Sequence, residues 1–206
     1  MTCRIILKTK YLIRCSLLRF NTAPLGAVHS GGAGDLFPPY TQRFLSEIFD
    51  TPQLAAGRFI IKDFPCEYIG IDVAESVIGA NKKRYADIRL KIQFMNIDSL
   101  SYLKNTRDKE FDLILIRHTL EHLPTWYNIV LLEEIKRCSK YAFITSTKIT
   151  TARTNQDCDF GGYHPVDLLK PPYSELLKDG LLLEEIDDHV KDSSVGVIFM
   201  NFYEFS

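Results

Sequence analysis

The sequence predicts a single α/β domain built on a mostly parallel sheet, with helices on both faces and an antiparallel hairpin at the C-terminal end. Three observations predict it. From residue 66 to residue 146, short apolar runs rich in Ile, Phe and Leu alternate with helical patterns of about 12 residues, the signature of βαβ units. The chain has 206 residues, enough for one well-buried core and short for two. The tail then changes character, because two strand-like runs flank a charged stretch at 187–194, as in a hairpin.

Taken in order, the first 34 residues lack Asp and Glu but hold Arg4, Lys8, Lys10, Arg14 and Arg19 among apolar neighbours. That composition suits a basic N-terminal arm, with an organellar presequence as the alternative. A glycine cluster, Gly31-Gly32-Ala33-Gly34, leads through two prolines into an amphipathic helix at about 40–49. The cluster has no preceding strand, no Lys-Ser/Thr pair and no G-x-G-x-x-G spacing, which favours a flexible loop over a phosphate cradle. The domain is expected to run from 35 to 206. Its alternation starts with strand 67–71 (EYIGI), helix 74–85, strand 92–96 (IQFMN) and a polar linker at 105–110. Strand 111–116 (FDLILI), helix 126–138 and strand 141–146 (YAFITS) follow, and the closing pair is 181–186 and 195–204. Together these elements read as a Rossmann-like sheet.

Bulk properties exclude several classes of function. Net charge is −1, with 46% hydrophobic and 25% charged residues, so the basic excess usual for nucleic-acid binding is absent. No apolar run reaches the ~18 to 20 residues of a transmembrane helix, and neither a nucleic acid nor a membrane is expected as a partner. The five cysteines are odd in number, widely spaced and without a C-x-x-C pair, which argues against a disulfide framework or a cysteine zinc site. A reducing compartment fits: the cytoplasm, or the mitochondrion if the arm is a presequence.

YIGIDV (68–73), QFMNIDSL (93–100), FDLILIRHTLEHLP (111–124) and EEIKRCSKYAFITST (133–147) resemble, in order and spacing, the second to fifth strand motifs of class I S-adenosylmethionine-dependent methyltransferases. The resemblance covers about 66–147 and extends more weakly to SGGAGDLFPPYTQRFL and DFGGYHPVDLLKPPY. It implies S-adenosylmethionine as cofactor and an unknown small-molecule or protein acceptor. An acid at the position of Asp72 would accept hydrogen bonds from the ribose hydroxyls, with Val73 beside it. Asp98 would lie near the adenine amine, and the backbone of Ile97 at the ring edge. Arg117 and His118, after strand 111–116, would lie beside the methionine end and the transferable methyl group. Each has a plainer structural reading: Asp72 as a helix N-cap, Asp98 as a turn residue, His118 as a locally satisfied helix-start residue.

Two further motifs bear on chemistry. GGYHPVDL (161–168) supplies Tyr163 and Asp167 as candidate acceptor contacts and His164 as a candidate general base, or else forms a rigid surface turn. His118-Thr119-Leu120-Glu121-His122 spells H-x-x-E-H, a zinc-hydrolase signature when carried on a long helix. Pro124, two residues after His122, argues against such a helix.

One departure from the family is plain. Before YIGIDV the only strand-like run is 59–64, and two residues separate it from the next strand, whereas parallel neighbours need a crossover of a dozen or more. The first strand and its glycine loop are therefore expected to be missing. That loss would leave two apolar edges for a protein partner to cover and would weaken or abolish cofactor binding. Within the chain, the strand-like run at 4–8 and the glycines at 31–34 are the available replacements.

Overall fold

The computed structural model describes residues 3–8, 66–84, 86, 92–116, 119–148, 155–178, 180–185 and 197–206. Seven strands form one sheet: β1 (Cys3–Lys8), β2 (Cys66–Asp72), β3 (Ile92–Asn96), β4 (Phe111–Ile116), β5 (Ser139–Lys148), β6 (Leu181–Glu185) and β7 (Val197–Glu204). Their order is β3-β2-β1-β4-β5-β7-β6. The first five are mutually parallel, while β7 runs antiparallel to β5 and to β6. Helices α1 (Glu75–Arg84), α2 (Ser99–Lys104) and α3 (Thr125–Cys138) follow β2, β3 and β4, and a one-turn helix α4 (Tyr173–Leu176) precedes the hairpin.

The central strand corrects the expected deletion. Cys3–Lys8 pairs with Cys66–Ile71 over six residues on one side and, through Ile5–Lys8, with Leu113–Ile116 on the other. The two edges expected to need a partner are thus paired by the chain's own N-terminal strand. The sheet extends beyond the 35–206 boundary, and a cleaved presequence would take the central strand with it. The run at 59–64, the glycine cluster at 31–34 and the helix at about 40–49 lie outside the described residues.

Burial follows from strand position. β4 is central and apolar on both faces: Ile114 and Ile116 join a core with Leu131, Leu132 and Ile135 of α3, while Leu113 and Leu115 are as deeply buried on the opposite face. Apolar residues at helical spacing along α3 supply that core, and α2 adds Leu100 and Leu103. The amino edge of the sheet is closed by Lys109, whose Nζ donates to the carbonyls of Lys136, Ser139 and Phe205 at 3.3, 3.2 and 2.9 Å. Asp72 and Asp98 lie at the other edge. Among the described residues no helix is long and apolar enough to cross a membrane.

Candidate functional site at the carboxyl edge of the sheet

The strand order reverses at β1. β2 and β3 lie to one side and β4 and β5 to the other, so the crevice at the carboxyl ends of β1 and β4 is the place where an open parallel sheet receives a ligand. Lys8 ends β1 in register with Ile71 and with Ile116, one residue before Asp72 and Arg117 respectively. Asp72 closes β2 and is buried. Its Oδ1 accepts the Ala74 N–H at 2.7 Å, and its carbonyl accepts from Asn96 Nδ2 at 3.0 Å and from the Ile97 N–H at 3.2 Å. Asp72 thus closes a local turn ahead of α1, which starts only at Glu75, in place of the expected N-cap, and this geometry fixes the carboxylate at the sheet edge. Val73 beside it is exposed, an apolar side chain left on the surface of this corner, and Ile97 is half-buried.

Asp98 emerges at the same edge, one strand further out. It is the N-cap of α2, accepting the Ser101 N–H on Oδ2 at 2.9 Å, and its Oδ1 accepts the hydroxyl of Tyr127 on α3. Burial and the adjacent Asp98 raise the pKa of that hydroxyl, keeping it a donor. Tyr127 carries no local signal in the sequence, because its partner lies 29 residues away. Arg117 and His118 fall outside the described residues.

The segment after β4 and the loop after β5 clamp together. Gly161 N–H donates to the His122 carbonyl and His164 N–H to the Glu121 carbonyl, each at 2.9 Å, and His122 Nδ1 lies 2.8 Å from the Gly162 carbonyl. Gly161 has φ 85°, a left-handed conformation that a side chain would disfavour, which explains a glycine there. Asp157 Oδ1 accepts the Thr125 N–H at 2.7 Å, and that bond holds its carboxyl below the usual carboxylate range.

This clamp changes two expected roles, those of His164 and Asp167. His164 is 2% exposed, with Nδ1 against the Gln156 carbonyl and Nε2 3.2 Å from the Leu123 carbonyl, so neither nitrogen presents a lone pair to a substrate. It positions the loop, and the general-base reading is replaced. Asp167 is buried: its Oδ1 caps the Leu169 N–H at 3.0 Å, and its own N–H donates to Asn155 Oδ1 at 2.8 Å. It shapes the loop instead of facing an acceptor. Tyr163 alone of the three is exposed, with its ring 5.6 Å from that of His122. The H-x-x-E-H segment is not a long helix: Leu120–His122 forms a 3₁₀ turn and α3 starts only at Thr125. Among the described residues no group of three His, Cys, Asp or Glu could hold a metal.

Residues 55–141 match the family model described as a methyltransferase domain. The N-terminal domain of EvdMO1, solved with SAH bound, superimposes with a TM-score of 0.58 at 12% identity, covering 84% of this chain and 83% of that one. The PH0226 protein from Pyrococcus horikoshii OT3 gives 0.52 at 10% identity, covering 100% and 83%. The bifunctional kinase-methyltransferase WbdD gives 0.51 at 14%, covering 98% of this chain, which spans only 35% of that one. A comparison with curated proteins finds no match. Residues 55–141 are thus similar to a methyltransferase domain, and the chain shares its Rossmann-like fold with these structures.

Proposed function

We propose that the chain binds S-adenosylmethionine at the carboxyl edge of the sheet and serves methyl transfer to an acceptor. The observation that carries this is the pair Asp72 and Asp98 at the ends of adjacent parallel strands, beside the point where strand order reverses. A fixed carboxylate flanked by the exposed apolar Val73 and the half-buried Ile97 is a set of groups suited to a nucleoside, an acceptor toward a ribose diol and apolar toward a base. When bound, the cofactor supplies an electrophilic sulfonium methyl.

In this reading Asp72 accepts from the ribose hydroxyls. Asp98, held by Tyr127, sits on the adenine side, and Tyr127 is a positioning residue. Arg117 and His118, next in the chain after β4, are the proposed residues beside the methionine end and the reacting methyl. The family's glycine loop is not reproduced directly after β1, since the first glycine beyond Lys8 is Gly26. Lys8, the last residue of β1, stands at this edge in register with Ile116. Holding and orienting two reactants accounts for most of the catalysis such a site performs.

A second reading, a methyltransferase scaffold without activity, is favoured by that same glycine-free stretch. Calorimetric titration of the 206-residue chain with SAH separates the two. Micromolar binding that weakens at least tenfold in Asp72→Asn supports the enzyme; no heat of binding in either protein leaves the scaffold.

A further inference from the structure

Beside the proposed cofactor site lies an aromatic surface that the methyl-donor reading does not use. Trp126, at the start of α3, and Phe160, in the loop after β5, are 58% and 56% exposed, and their rings meet edge to face at 5.9 Å. Tyr127 lies beneath both, with ring centroids 5.7 Å from Trp126 and 5.2 Å from Phe160, and its hydroxyl reaches Asp98. The same loop carries the exposed Tyr163. Large aromatic side chains normally bury most of their area, so several on two clamped segments mark a contact surface.

Within the two described segments that carry the rings the charge has one sign. Segments 119–128 and 155–169 contain Glu121, Asp157, Asp159 and the buried Asp167 and no Lys or Arg, and Lys170, next in the chain, pairs with Asp167 at 3.7 Å. Asp157 and Asp159 are exposed, and the Thr125 N–H keeps the Asp157 carboxyl below the usual range, and so charged. Aromatic faces rimmed by carboxylates attract cations, and a guanidinium does so best because it stacks on a ring while bonding an acid. The surface is open, whereas small ligands are enclosed in concave sites that bury most of their area.

Resting on the methyl-donor reading, we infer that Trp126, Phe160 and Tyr163 dock a protein acceptor through an arginine side chain, seated on the rings and paired with the acidic rim. The arginine is an anchor; the reacting side lies toward the end of β4.

Trp126 is the chain's single tryptophan, so its fluorescence reports on this surface alone. The probe is a 15-residue Gly/Ser peptide carrying arginine at every third position, with its citrulline counterpart as the neutral isostere. Expected are saturable quenching at a concentration at least tenfold lower for the arginine peptide, a further tenfold weakening in Phe160→Ala and in Tyr163→Ala, and progressive loss with added salt. Both variants must retain the native thermal transition and the parent affinity for SAH. Equal response to the citrulline peptide, or none to either, overturns the proposal. So does an SAH-induced change in Trp126 emission that disappears in Phe160→Ala, because the rings would then belong to the adenine. Arginine-peptide binding without any SAH binding would support the surface while removing the methyl-donor reading.

Discussion

β2 with α1 and β4 with α3 are the same construction, a parallel strand delivering its carboxyl end to the site and a helix returning over the sheet, yet they are packed very differently. α3 buries Tyr127, Asn128, Leu131, Leu132, Ile135 and Cys138, against a strand whose residues 113–116 are almost fully enclosed. Among the described side chains of α1 only Ile78 and Asn81 are buried. Burial at about 25 cal/mol per Å² makes the β4–α3 side the source of stability. The β2–α1 side, which holds Asp72, is the thinner half, and β1 joins the two.

Removing residues 1–10 should have the largest effect, because it exposes the facing edges of β2 and β4 and separates the halves. The expected outcome is loss of the cooperative thermal transition together with aggregation, read by circular dichroism and light scattering. A native melt in the shortened chain would break the comparison. Next comes Leu131→Ala, which empties a fully buried position of the thick half. Chemical denaturation should show a loss of about 4 kcal/mol, toward the upper part of the range for large-to-small core changes.

Ile78→Ala is the matching test in the thin half. Ile78 is 3% exposed on a helix with little other burial, so the site can relax, and the loss should be about 2 kcal/mol. Equal losses at Leu131 and Ile78 would show that the halves are energetically alike. The smallest effect has the opposite sign. A Cβ at Gly79, within α1, would meet nothing within 4 Å, so Gly79→Ala should stabilise by about 0.5–1 kcal/mol through helix propensity alone. A loss in the same denaturant titration would mean that α1 has a neighbour on that face.

What could be read beforehand follows the same division between local and distant causes. Strands 92–96 and 111–116 have the expected limits because each is a short apolar run bounded by polar or turn residues. The hairpin was visible from the charged stretch between its strands. The run at 4–8 was legible as a strand and as one available replacement for the first strand, but nothing local fixed it there: residues 9–65 intervene before β2, and no local pattern specifies pairing across so long a connection. Asp72 and Asp98 were legible as strand-end acids. His164 looked like a base because a histidine after two glycines is a local pattern, whereas the Gln156 and Leu123 carbonyls that engage it come from elsewhere in the chain. Tyr127 escaped notice for the same reason.

The N-terminal strand completes the sheet and so creates the carboxyl edge on which both halves of the site stand. Amide hydrogen exchange of the intact chain, followed by mass spectrometry over residues 3–8 and 111–116, tests it most directly. The amides of Cys3–Lys8 should exchange as slowly, within about tenfold, as those of Phe111–Ile116, since β1 is paired on both sides. Complete exchange of residues 3–8 at the rate of an unstructured peptide, while 111–116 stays protected, would contradict it.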